Sequence, residues 1–70
     1  MKVYDVVHIV EIQNGSIPQG RWFVNCFDDE LKAHKFKDRC NDARLVSGHY
    51  FRIEEHDELS PERAPAYPNY

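Results

Sequence analysis

A chain of 70 residues makes one domain, and one this short buries only about 60% of its unfolded surface, so its core needs help from a disulfide, a metal or a second chain. The formal net charge is -3, with acids gathered toward the C-terminal end and interleaved with lysine and arginine, unlike the clustered basic footprint of a nucleic-acid binder. Cys26 and Cys40 are too few for a secreted staple scaffold, no apolar run is long enough to span a bilayer, and "MKVYDVVHIV" lacks a signal-peptide pattern; a reduced, cytoplasmic setting is expected.

Residues 2–12, "KVYDVVHIVEI", are rich in valine and isoleucine, whose branched side chains suit a pleated strand. "QNGSIPQG" follows, with Asn14-Gly15, Pro18 and Gly20 marking a long hairpin loop. "RWFVNCF", residues 21–27, returns as a second strand antiparallel to the first. Asp28 is placed to cap a helix through "DELKAHKFKDRCNDA", where Ala33, Phe36, Cys40 and Ala43 fall on one side and Lys32, Lys35 and Arg39 near the other. Ser47-Gly48 breaks the chain, and "HYFRIEEHD" alternates as a third strand. The expected fold is therefore α+β: a small three-stranded antiparallel sheet with one helix on one face, in the order β-β-α-β. The domain covers residues 1–59, and residues 60–70 form a proline- and tyrosine-rich tail, flexible or docked.

A strand sends alternate residues to opposite faces. Phe51 and Ile53 turn toward the helix. The first two strands carry apolar residues on both sides: Tyr4, Val6, Val10 and Ile12 against Val3, Val7 and Ile9, and Trp22, Val24 and Cys26 against Phe23 and Phe27. One helix roofs one face. Val3, Val7, Ile9, Phe23, Phe27 and Tyr50 then form an apolar patch that requires a cover, because soluble monomers seldom expose large contiguous ones. A second copy of the chain is the leading cover, giving a homodimer through the sheet face. The alternatives are a different protein partner, or the tail folding back with Tyr67 and Tyr70 as a lid. A bulge in the first strand would shift its parity.

Chemistry-bearing residues concentrate in "FRIEEHDEL". Alternation places Glu54 and His56 away from the helix and Glu55 and Asp57 toward it, so the cluster reads as the watered end of a strand with no cleft. Cysteine and histidine occur without the paired spacing of a closed zinc site, and no serine or cysteine has a base beside it. No catalytic residue, metal site or cofactor is assigned. The competing class is a metal-dependent or hydrolytic protein using His8, His56 and Glu54, and a third is a nucleic-acid-associated regulator.

The run from "MKVYDVVH" through "FDDELKAHKF" to "YFRIEEHDEL" resembles a family of small bacterial and phage proteins of unknown function with β-β-α-β order. The resemblance implies the fold and carries no active site. With the exposed face, it suggests a non-enzymatic protein-interaction module, of which a phage-encoded inhibitor of a host defence or enzyme is one form.

Overall fold

The computed structural model describes residues 1–13, 15–43 and 47–68. It contains β1 (Lys2–Val10), β2 (Gly20–Phe27), α1 (Glu30–Ala43) and β3 (His49–Asp57) in that chain order. The three strands form one antiparallel sheet in the spatial order β2-β1-β3. The fold is the small α+β arrangement with β-β-α-β order. The most apolar strand is the central one, because only there do both faces and both hydrogen-bonding edges find neighbours; Val6, Val7 and Val10 are fully buried.

The helix starts one residue later than the sequence suggests. Asp29, not Asp28, supplies the cap: its Oδ1 accepts hydrogen bonds from the Leu31 and Lys32 amides at 2.8 and 3.4 Å. Ala33 is the helix residue pressed fully onto the sheet, and the Phe36 ring tilts against Phe27 with centroids 5.5 Å apart. β1 ends at Val10, so Ile12 lies beyond it and is exposed. Gly48, at φ +85°, brings the chain into β3 where a Cβ would stand 2.7 Å from Ile12 Cβ, and its carbonyl accepts from the Glu11 amide. No L side chain fits that position.

Face assignment follows from register. Val7 pairs with Phe23 and Val6 with Asn25, leaving Val24 without a partner, so the bulge lies in β2 and not in β1. It reverses the parity of β2 halfway along. Trp22, opposite His8, and Phe27, opposite Tyr4, therefore share the helix face, while Phe23, opposite Val7, and Cys26, opposite Asp5, share the other. The single apolar rows Trp22-Val24-Cys26 and Phe23-Phe27 expected from alternation do not exist, and Phe27 leaves the proposed interface.

The second correction concerns the cover. Residues 58–68, which we term the strap, run from β3 across the face opposite the helix. Ala64 packs on Val7 and Ile9, with Phe23 and Tyr50 around it. Val3, Val7 and Ile9 are buried by their own chain. The apolar patch that called for a second copy is closed in a single molecule, and residues 60–68 belong to the folded unit. Tyr70 lies outside the described residues.

Each outer edge of the sheet is engaged at one residue. On β2 the Phe23 amide donates to the Pro65 carbonyl at 2.7 Å. On β3 the Asn41 side chain imitates a strand: its Oδ1 accepts from the Phe51 amide at 3.1 Å and its Nδ2 donates to the Phe51 carbonyl at 3.3 Å. No helix among the described residues is long and apolar enough to cross a membrane.

Candidate functional site

Among the described residues, three contacts of different kinds hold residues 63–68 of the strap. The first is Asp5, the one acidic residue inside the apolar run of β1. Its side chain is fully buried, with 0% exposure. Arg63 meets it with both arms of its guanidinium, Nε to Oδ2 and Nη2 to Oδ1 at 2.9 Å each, while Nη1 donates to the Glu58 carbonyl at 2.8 Å. This bidentate geometry is the strong form of the pair, and it satisfies a charge that burial would otherwise make costly. The same guanidinium lies 5.7 Å over the Phe23 ring.

The second point is the hydrogen bond from the Phe23 amide to Pro65, with Ala64 seated on the core beside it. Such a bond to a strand edge, with a side chain in a neighbouring pocket, is how extended peptides are recognised by sheets. The third lies past the β2 edge, on the helix face. There the Tyr67 hydroxyl sits 2.8 Å from His8 Nδ1, and His8 Nε2 sits 3.1 Å from His49 Nδ1. The His8 ring stacks on Phe51 with centroids 4.7 Å apart. Burial, and the neighbouring His49, push the His8 pKa below the usual 6.5. Burial, reinforced by Cys40, raises the Tyr67 phenol above its usual 10. His49 Nε2 is buried and has no hydrogen-bond partner among the described residues.

Glu54 anchors a second polar cluster on the strap face. Arg21 binds it through Nε and Nη2, Arg52 Nη2 reaches Oε2 at 2.7 Å, and His56 Nε2 lies 3.0 Å from Oε1. Arg21 also donates to the Glu62 carbonyl at 2.8 Å, tying the start of the strap to the cluster. Burial by itself would raise the Glu54 carboxyl; hydrogen bonds from Arg21, His56 and Arg52 and the Arg21 charge outweigh it and hold the pKa at about 2. Arg21, Arg52, Glu54, His56 and Glu62 line a shallow, open hollow of about 630 Å³.

Several expectations change here. Glu54 is not the watered end of a strand, since its side chain is only 12% exposed and bound by three partners, and a hollow lies where no cleft was expected. His8 stands on the helix face and Glu54 and His56 on the strap face, so these three cannot converge on one metal or substrate. Among the described residues no group of three or more histidine, cysteine, aspartate or glutamate side chains is arranged to hold a metal ion. Cys26 and Cys40 are free thiols. Cys26 faces the strap side opposite Asp5 rather than the helix.

Asp5, Arg21, Arg63 and His49 carry the arrangement and are not singled out by sequence. One signal was present: a lone aspartate among valines must find a cation or destabilise the strand. Neither the family models, the curated proteins nor the solved structures give a match to this chain. The family resemblance drawn from its strands and helix start is thus without a match, and what the structure shows is the β-β-α-β order.

Proposed function

We propose that the protein is a non-enzymatic interaction module whose recognition surface is the sheet face beneath the strap, and that the strap is its resident occupant. The observation that carries this reading is the mode of docking: a guanidinium in a buried carboxylate, a small side chain on an apolar floor, and a carbonyl on an edge amide. These are the elements of peptide recognition by a sheet edge. The partner implied is a protein segment of like chemistry, an arginine followed by a small residue and an aromatic, which takes the strap's place. What supports binding over catalysis is that the carboxylates on this face are neutralised by arginines; a glutamate held at about 2 stays ionised near neutrality and is a poor proton donor there.

A second copy of the chain offers the same segment. Exchange of straps between two molecules gives a homodimer by a different route from the open sheet face expected from sequence, since each contact is remade with the partner's strap. The free thiols suit a reducing, cytoplasmic setting, and a phage or bacterial inhibitor remains one form of such a module by analogy alone.

The reading is tested with a synthetic peptide of residues 58–68 titrated into isotope-labelled full-length protein. Weakening the resident strap with Arg63→Ala should let the peptide in, moving the amide signals of Asp5, Val7, Ile9 and Phe23, while the unaltered chain responds weakly. A peptide that binds neither chain, or binds without touching those residues, removes the reading. Mass in solution decides between a foreign partner and strap exchange.

A further inference from the structure

We propose that the Tyr67, His8 and His49 side chains form a proton-operated latch that holds the distal half of the strap closed and releases it as pH falls. The latch rests on the reading of the strap as a displaceable cover and adds the condition under which it opens.

The geometry limits how many protons the chain of groups can hold. In one tautomer His8 Nε2–H donates to His49 Nδ1 and His8 Nδ1 accepts from the Tyr67 hydroxyl; in the other both bonds reverse. Each arrangement satisfies His8 at both ring nitrogens with no net charge. An added proton leaves a cation in the chain. If it stays on His8, it sits on a residue that is 6% exposed. If it passes along the bonds, it arrives at His49 Nδ1 and makes His49 the cation, whose Nε2–H is buried with no acceptor among the described residues.

The surroundings offer that charge no counterpart. From β2 the residue opposite His8 is Trp22; from β3 the neighbours are His49 and Phe51. From α1, Cys40 faces Tyr67 and Asn41 is committed to the Phe51 backbone. The strap brings Tyr67 itself. Among the described residues no carboxylate, lysine or arginine is hydrogen-bonded to any member of the latch. Water is the remaining source of solvation, and it enters most readily at Tyr67, which is 40% exposed and ends the docked segment.

The sign follows from linkage. His8 is held below its ordinary value while the strap is docked, and release of Tyr67 relieves part of the burial that holds it there. Above about 6.5 neither state takes the proton and docking is at full strength; as pH falls below that value the released state gains the proton and docking weakens. One linked proton changes the docked-to-released ratio by up to about tenfold per pH unit. Arg63 stays paired with Asp5, so the part that lifts is residues 64–68. That uncovers the Phe23 amide and the Val7–Ile9 floor beneath Ala64, the surface a partner would use.

The test reads the strap directly in the full-length protein with no ligand added. The protection factor of the Phe23 amide, which bonds to Pro65, and the chemical shift of the Ala64 methyl are followed from about pH 7.5 to about pH 5, the window in which histidine titrates. Phe23 protection should fall by up to about tenfold per unit below about 6.5, in step with the His8 ring signals. His8→Gln and His49→Gln should each flatten the response, and His34→Gln, at an exposed position on α1, should leave it intact. Should His8→Gln not fold, His49→Gln and the His8 ring titration in the unaltered chain decide. Protection that stays constant to the acid end, a response that survives loss of His49, or one that vanishes with His34 overturns the latch. A strap that opens with acid while the peptide fails to bind keeps the latch and removes the recognition function; peptide binding with a strap indifferent to acid does the reverse.

Discussion

The two faces of the sheet are covered by different physics. On the helix side, Val6, Val10 and Ala33 are buried and Phe27 meets Phe36, so that contact is a matter of shape and apolar area. On the strap side a single alanine meets the core, and most named contacts are polar: Asp5 with Arg63, and Glu54 with Arg21, Arg52 and His56. Apolar packing loses strength gradually as groups are trimmed, whereas a buried ion pair fails when one partner is removed. Substitutions under the helix should therefore act in proportion to the area they remove, and the strap side should respond sharply to the loss of a few residues.

The largest break in that comparison is Arg63→Ala. It strands a fully buried carboxylate and should cost about 3–5 kcal/mol in chemical denaturation, with loss of Phe23 amide protection as a second readout. A cost below about 1 kcal/mol, typical of an exposed ion pair, would show that Asp5 is solvated in solution. Val6→Ala, at a fully buried position on the helix side, should cost about 2 kcal/mol with the strap still docked. Glu54→Gln should cost roughly 1.5–2 kcal/mol near neutrality, since it removes charge-assisted bonds from three partners. Its pH profile sharpens the contrast: the depressed Glu54 value stabilises the fold fully above the ordinary 4.5, and that stabilisation is lost as pH falls toward about 2. The glutamine variant should lack this component of acid unfolding, and an unchanged acid limb would assign it elsewhere. The smallest effect is Asp29→Ala, which removes the helix cap for about 1 kcal/mol, read as a shift in midpoint without loss of the sheet.

What could be read from sequence divides along the same line. Local patterns were sufficient for the three strands and the helix, because alternation in "HYFRIEEHD" and the stripe of Ala33 and Phe36 are set by neighbours in the chain. The β2 bulge left no mark, since Val24 is neither glycine nor proline and its displacement depends on how β2 meets β1. The strap was visible as a tail and as one of several covers, but its docking joins Arg63 to a residue 58 positions away, and no spacing encodes such a pair. Asp5 was the clue, a charge at a core parity whose partner had to come from outside the strand. Its own strand alone makes the Glu54 cluster look solvated, whereas Arg21 on β2 closes over it across β1.

The small side-chain bridge between Asn41 and the Phe51 backbone has a consequence for how this protein could assemble wrongly. Endless stacking of sheets into a fibre needs two open rims on every molecule, one to receive and one to offer. Here one rim is stopped by an asparagine and the other by a strap carbonyl. Loss of either contact alone should favour pairing at that one rim, and loss of both should favour growth from the two rims of each molecule.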